Sequence, residues 1–177
     1  MKSVLISIQP KWCELIASGK KTVEVRKTKP KLETPFKVYI YCTKDKNFNF
    51  CTDDGEQYTH IGNGKVIGEF VCDSIRCEKE VADGLVDIVL ERTSCVSARE
   101  LVEYANGNVL YPWHISNLVI YDKPRELRGF FHERTFHAFT TEWNIEGIVH
   151  YPIKKTIMDE IRTPPQSWCY VEDLTAY

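Results

Sequence analysis

The stretch Lys2–Arg26, KSVLISIQPKWCELIASGKKTVEVR, sets the fold class, because it places a strand, a short helix and a second strand in succession. The apolar alternation of Lys2–Ile8 predicts a strand. A proline in the first position and the apolar spacing after it predict an amphipathic helix over Pro10–Ser18, which Gly19 ends as a left-handed cap. Alternation resumes over Lys21–Arg26 and predicts a second strand, with Val23 and Val25 on one face and Thr22, Glu24 and Arg26 on the other.

Strands are predicted for much of the remaining chain. Runs of β-branched and aromatic residues predict them over Phe36–Tyr41, Lys65–Ile75, Trp113–Tyr121 and Trp168–Val171, the third ending at Asp122-Lys123-Pro124. A second helix is predicted over Ser94–Ala105, in which Ser97 and Glu100 have the spacing of a capping box.

Two regions give weaker signals. Residues 44–64 are polar and carry turn signals at Asp54-Gly55 and Asn63-Gly64, which predict a long excursion or a hairpin. Residues 125–161 are mixed and aromatic-rich, and no element is assigned to them. About six strands and two helices without regular alternation indicate an α+β, mainly β fold, in which a small antiparallel β-barrel has flanking helices.

Composition excludes several classes of protein. The 177 residues suit one domain, and 43% hydrophobic residues with a net charge of −2 argue against intrinsic disorder. No apolar run is long enough for a membrane-spanning helix, and the N-terminus lacks a signal-peptide cleavage site. We therefore expect a cytoplasmic protein without membrane contact.

The small net charge conceals an asymmetry. Residues 1–46 hold eleven Lys and Arg against four Asp and Glu, a net of +7, and the other residues carry a net of −9. A basic segment on an acidic body suggests an anionic partner such as nucleic acid. A solvated lysine-rich surface is the alternative.

Seven cysteines occur without a CxxC pair, which favours reduced thiols that mostly act as small buried hydrophobes. Zinc sites built from Cys51 and His60, or from Cys72 and Cys77, lack the usual close ligand pairs. We therefore expect no metal and no cofactor.

The densest chemistry lies at Lys21, Glu24 and Arg26. Two cations and a carboxylate at a helix–strand junction suit an anionic or amide-bearing ligand. An Arg guanidinium forms paired hydrogen bonds with a phosphate or a base edge, and a Glu carboxylate accepts a hydrogen bond from an exocyclic amine. A Lys beside an Arg would also suit a general base. A surface salt bridge is the alternative, worth at most about 1 kcal/mol.

The segment Ser7–Arg26 resembles the opening of the ASCH domain family, whose signature Gly-x-Lys-x-x-Glu-x-Arg is met without a gap by Gly19, Lys21, Glu24 and Arg26. The resemblance continues through later segments that are similar to a bacterial, prophage-borne subgroup: Phe36–Tyr41, Gly64–Cys72, Trp113–Leu118 and Pro164–Val171. It is weak over 43–63 and 128–161. A single domain over 1–177, with an insertion at about 128–161, is expected.

This resemblance implies a PUA-like fold that binds RNA or a modified nucleobase in a cleft lined by the signature residues. One ASCH subgroup hydrolyses N4-acetylcytidine with a Lys, a Thr nucleophile and a Glu. The Lys would fall on Lys21, but Glu24 stands where the nucleophilic Thr would fall, and Thr22 is two residues away. Glu91 and Glu100 both remain open for the third member. A carboxylate at position 24 would have to act differently, for example by activating water.

Further binding residues are expected around the cleft. Trp12, Trp113, Trp168 and Tyr170 would stack on bases, with core packing as the alternative for each tryptophan, and Lys11 is a further ligand candidate. His114 is a ligand or catalytic candidate, or a hydrogen-bonded rim residue. Gln166 and Ser167 would contact a base edge, or would form the turn after the Pro pair.

The sequence thus predicts an RNA- or nucleobase-binding domain with a pocket at Lys21, Glu24 and Arg26. The alternative is a hydrolase acting on an N4-acylcytidine or cleaving RNA, with Lys21 and Glu24 as catalytic residues or with Lys21, Arg26 and His114 as ribonuclease residues. A protein-interaction module is a third hypothesis, supported only by the unassigned region. The oligomeric state is not predicted.

Overall fold

A six-stranded sheet organises the protein, whose computed structural model describes residues 2–45, 50–51, 57–58, 63–144 and 147–173. The strands are β1 (Lys2–Ile8), β2 (Val23–Arg26), β3 (Phe36–Cys42), β4 (Phe50–Cys51), β5 (Gln57–Tyr58), β6 (Val66–Ile75), β7 (Tyr111–Arg125), β8 (Phe131–Asn144), β9 (Gly147–Glu160) and β10 (Trp168–Glu172). The helices are α1 (Pro10–Ala17), α2 (Ile88–Ser94) and α3 (Ala98–Ala105), with 3-10 turns at Glu80–Asp83 and Leu127–Gly129.

The main sheet has the strand order β10–β1–β3–β6–β7–β2. Neighbours are antiparallel except for β1 and β3, which are parallel because the chain crosses over between them through α1 and β2. The sheet curls into a half-barrel with three helices, so the expected α+β, mainly β, PUA-like fold is confirmed. The expectation of antiparallel pairing is wrong only for β1 and β3.

Three buried clusters hold the elements together. The first packs α1 against the sheet and includes Trp113 and the thiols of Cys13, Cys42 and Cys72. Burial raises the pKa of the Cys72 thiol to about 12, as expected of an apolar environment. The second cluster includes Phe130 and Ile161, and the third joins β2 to α2 and α3.

The ends of the helices follow their sequence signals, with one correction. Helix α1 ends where Gly19 takes a φ of +72°, and the Ser97–Glu100 capping box starts α3. The predicted helix over Ser94–Ala105 is wrong at its start, because Ser94 ends α2 and Cys95 takes a φ of +55° between the two helices. Helix α2 begins with three consecutive apolar residues, so its sequence shows no helical period.

Strand β7 is longer than predicted, since it continues through Asp122-Lys123-Pro124 to Arg125. Its pairing with β6 is interrupted by several register shifts. Pro124 lies within one of the shifted stretches, and this accommodates a residue that a regular central ladder would exclude. At Gly68 a Cβ would lie 2.3 Å from the Val119 carbonyl oxygen, so only glycine allows the two strands to approach so closely here.

The unassigned region contains a long hairpin. Strands β8 and β9 pair without interruption from Phe131–Glu160 to Asn144–Gly147. Apolar side chains such as Phe139 and Ile148 are exposed on it, which explains why no inside–outside alternation marks it in the sequence. At its base, the Ile161 backbone N–H donates to the Phe130 carbonyl at 2.8 Å.

We expect the core to survive removal of this hairpin, because its two ends are already joined at the base. Replacing residues 133–158 with Asn-Gly keeps Phe130 and Ile161 and removes two exposed ion pairs, Lys2–Glu133 and Arg134–Asp159. The melting temperature should stay within about 4 °C of the full chain, which corresponds to about 1 kcal/mol. Thermal unfolding followed by circular dichroism measures this, and loss of a cooperative transition would contradict it.

The polar excursion is described in part. Strands β4 and β5 pair with each other, and Gly64 takes a φ of +82° at the predicted Asn63-Gly64 turn. The predicted Asp54-Gly55 turn lies outside the described residues, as does His60. None of the described helices is long enough to cross a bilayer.

Candidate functional site

The three charged residues of the signature lie together in a buried ion cluster. Lys21 Nζ is 3.3 Å from Glu24 Oε2, and Arg26 Nε is 3.0 Å from Glu24 Oε1. The side chains of Lys21 and Glu24 are only 2% and 8% exposed. The surface salt bridge considered from the sequence therefore does not describe them, because they are removed from solvent.

Lys21 is held by the helices on both sides of it. Its backbone N–H donates to the Leu15 carbonyl at 2.8 Å, and its ammonium donates to the Ser94 carbonyl at 2.7 Å. Ser94 ends α2, so the lysine meets the partially negative end of that helix. Two of the three ammonium hydrogens are accounted for by Ser94 and Glu24.

Arg26 uses its guanidinium on the protein itself. Nη2 donates to the Ser7 carbonyl at 2.6 Å, and Nη1 donates to Ser167 Oγ at 3.4 Å. The Nε–Glu24 contact is an ion pair rather than an aligned hydrogen bond, since this buried N–H has no aligned acceptor among the described residues. Arg26 thus ties β2 to β1 and to the segment before β10.

A cavity of about 420 Å³ opens beside this cluster. Its polar wall contains Lys21, Glu24 and Arg26, and its aromatic side chains are Trp12 from α1 and Tyr104 from α3. The other lining residues are Ser7, Ile8, Gln9, Val25, Thr43, Val96, Glu100, Leu101 and Gln166. The volume lies within the range of about 300–1,000 Å³ that is usual for small-molecule sites.

Lysines lie against both aromatic rings of the cavity. Lys11 Nζ is 4.4 Å from the centre of the Trp12 ring, and Lys27 Nζ is 4.9 Å from that of Tyr104. Desolvation by burial raises the pKa of the Tyr104 hydroxyl, which keeps it a neutral hydrogen-bond donor. Part of the basic segment found in the sequence is therefore gathered around this cavity.

The cavity also contains the carboxylate of Glu100. Hydrogen bonds from the Ser97 hydroxyl and backbone N–H lower the pKa of Glu100, and Lys11 adds a weaker effect in the same direction. The capping box holds the Glu100 carboxylate in its ionised form, so Glu100 places a negative charge in the lining of the cavity. Glu91, the other open candidate, accepts from the Ala98 backbone N–H and does not line the cavity.

The remaining candidates divide into two groups. Gln166 lines the cavity, and Ser167 reaches it only through Arg26. Trp168 packs 6.0 Å from the centre of the Trp113 ring and donates from Nε1 to Thr28 Oγ1, outside the cavity lining. Its position corresponds to the packing alternative.

His114 lies on the opposite face of the sheet from the ion cluster. In the pairing of β2 with β7 it is opposite Val23, whereas Trp113 is opposite Glu24. Side chains alternate along a strand, so His114 is turned away from the cavity. Its Nδ1 is 2.7 Å from Asp73 Oδ1, and this hydrogen bond is the main cause that lowers the pKa of Asp73.

Several site residues were missed in the sequence. Tyr104 lies on α3, whose sequence predicted only a helix, and the Ser7 and Ser94 carbonyls act through the backbone, which leaves no side-chain signal. Thr22, the hydroxyl nearest to Glu24 in sequence, does not line the cavity.

In the parts of the chain that the structure describes, no three His, Cys, Asp or Glu side chains converge. In the pair Cys72 and Cys77, the first thiol is buried and the second is exposed. The side chains of Cys51 and His60 are not among those described.

Comparisons with known proteins show the family and the fold of this chain. The model of the ASCH domain matches residues 6–122. The crystal structure of ASCH from Zymomonas mobilis is similar with a TM-score of 0.52 and 21% identity, over 71% of this chain and 73% of that chain. The structure of a tyrosine-to-phenylalanine mutant of that protein is similar with a TM-score of 0.50 and 20% identity, over 72% of this chain and 77% of that chain. At these identities the likeness supports the fold alone. No curated protein sequence matches the chain.

Proposed function

Because the chain belongs to the ASCH domain family, a PUA-like fold associated with RNA binding, we propose that it binds RNA by taking one nucleobase into the cavity beside β2. The observation that carries this proposal is the buried Lys21–Glu24–Arg26 cluster, which forms the polar wall of a cavity of about 420 Å³. A nucleobase needs such a wall for its polar edge and a flat apolar surface for its ring.

The polar wall has hydrogen-bonding capacity left for a base edge. The ammonium of Lys21 retains one N–H beyond its contacts with Ser94 and Glu24, and it suits a base carbonyl. Each Glu24 oxygen faces one cation and keeps lone-pair capacity for an exocyclic amine. Gln166 adds a side-chain amide, which both donates and accepts.

Arg26 has a positioning role in this proposal. Its guanidinium contacts Ser7, Glu24 and Ser167, so it orients the carboxylate and holds the cavity wall in place. The sequence suggested instead that its fork would bind the ligand.

The test is binding of a fluorescently labelled single-stranded RNA, measured by anisotropy at low salt. Tyr104→Ala removes a stacking surface worth about 1–3 kcal/mol, so we expect the affinity to fall about 5- to 150-fold. His114→Ala is the matched control, because His114 is partly exposed and lies outside the cavity. Equal affinities of Tyr104→Ala and the wild type, or no RNA binding at all, would refute the proposal.

Hydrolysis is tested with the same preparation by incubating it with N4-acetylcytidine and separating the products by chromatography. We expect no release of cytidine, because Glu24 is ion-paired on both oxygens and Thr22 does not line the cavity. Turnover that is lost in Lys21→Met would replace binding by catalysis as the function of this site.

A further inference from the structure

A second cavity adjoins the first and has a different chemical character. Its volume is about 570 Å³, and Thr43, just after β3, lines both cavities. Its lining residues are Tyr41, Thr43, Lys44, Gly64, Glu126, Leu127, Arg128, Arg162 and Pro164. Nothing in the signature motif contributes to it.

The second cavity is rich in cations. Lys44, Arg128 and Arg162 reach it from three separate segments, and Glu126 is the carboxylate among its lining residues. That carboxylate is 3.0 Å from Lys65 Nζ, which offsets its charge. The described lining is therefore positive, whereas the first cavity balances Lys21 and Arg26 against two carboxylates.

Two of the three cations are uncommitted within the described residues. No described carboxylate pairs with Lys44 or Arg128, and Arg162 Nε is 3.7 Å from Glu160, a long contact. Lys44 lies along Gly64, where a Cβ would come within 2.6 Å of Lys44 Cε. Because Gly64 has no side chain, the Lys44 side chain can lie against it and line the second cavity.

Phosphate is the ligand group that suits this arrangement. Guanidinium groups form paired hydrogen bonds with phosphate oxygens, and an ammonium group adds a point charge. An aromatic platform is not required for such a subsite, and the single tyrosine of the lining, Tyr41, is only 3% exposed. The described lining of the second cavity therefore lacks an exposed ring on which a base could stack, whereas the first cavity has Trp12 and Tyr104.

We propose that the second cavity is a phosphate-binding subsite for the nucleotides that flank the base in the first cavity. This inference rests on the proposed function and narrows its ligand to a single-stranded oligonucleotide rather than a free nucleoside. One strand occupies both cavities, because they meet at Thr43.

The test compares a labelled eight-nucleotide single-stranded RNA of mixed sequence with the four free nucleosides. The double variant Arg128→Gln/Arg162→Gln changes exposed side chains and should fold normally. We expect its affinity for the octanucleotide to fall about tenfold or more in 50 mM salt, with a log–log salt slope about 1–1.5 smaller than that of the wild type. Nucleoside binding, followed by tryptophan fluorescence, should not change.

The matched control is Arg76→Gln/Arg134→Gln, which removes two arginines that are exposed and lie outside both cavities. An equal loss in the control, an unchanged salt slope, or a parallel loss of nucleoside binding would overturn the subsite. Wild-type protein that binds the octanucleotide no more tightly than nucleosides would overturn it too, while leaving the base cavity intact. Failure to bind either ligand would refute the proposed function itself, and the subsite with it.

Discussion

Replacing Glu24 with glutamine is expected to lower the free energy of unfolding by about 3–5 kcal/mol, because it removes the one carboxylate from a buried cluster that contains two cations. The side chain of Lys21 is only 2% exposed, so water cannot take over the role of the lost anion. Glutamine preserves the size of the side chain, and the loss therefore reports charge rather than packing. Urea denaturation followed by fluorescence measures it.

Glu103→Gln is the matched control for this variant. Glu103 is 62% exposed and pairs with Arg99 one turn away on α3, so the same change should cost less than about 1 kcal/mol. A loss at Glu24 no greater than that at Glu103 would mean that the cluster does not depend on its carboxylate.

The second large effect is expected at Trp113, whose removal opens a cavity in the core. Trp113 is fully buried, and its ring centre lies 5.9 Å from that of Phe36 in an edge-to-face arrangement. Trp113→Ala should cost about 3–5 kcal/mol. It should also disturb the ligand site, because Trp113 is paired directly with Glu24 across β2 and β7.

Trp113→Phe separates packing from hydrogen bonding at this position. The indole N–H has no partner among the described residues, so phenylalanine forfeits no hydrogen bond and should cost less than half as much as alanine. Leu85→Ala, at a side chain that is 66% exposed, controls for truncation at the surface. Equilibrium denaturation measures the free energy of unfolding of each variant. A loss for Trp113→Ala as small as that for Leu85→Ala would contradict the assignment of Trp113 to the core.

The sequence predicts the start of the chain well because its signals there are local. Proline at the first helical position, Gly19 and the alternation after it fix β1, α1 and β2 to within two residues. The signature residues do converge, although Lys21 and Glu24 are three apart and would point to opposite faces of one strand. They converge because β2 begins only at Val23, so Lys21 lies in the irregular segment before the strand and is not bound by its alternation.

Other residues could not be placed because their positions depend on pairing across the sheet. His114 and Trp113 are adjacent in sequence, and the register with β2 directs one outward and the other into the core. Tyr104 reaches the cavity through the packing of α3 on β2, a contact without a motif. The β8–β9 hairpin escaped assignment because its apolar residues do not segregate to one buried face.

The contacts of Arg26 and Ser7 also bear on the order in which the site is completed during folding. The Ser7 backbone N–H donates to the Ser167 carbonyl, and the Ser7 hydroxyl donates to the Pro165 carbonyl, which is 158 residues away in sequence. Such distant contacts form slowly, because the intervening chain must be closed first. A chain under synthesis would present Lys21, Glu24 and Arg26 early. It would become competent to bind only after β10 docks, so we expect ligand affinity to appear as a late, all-or-none event in refolding.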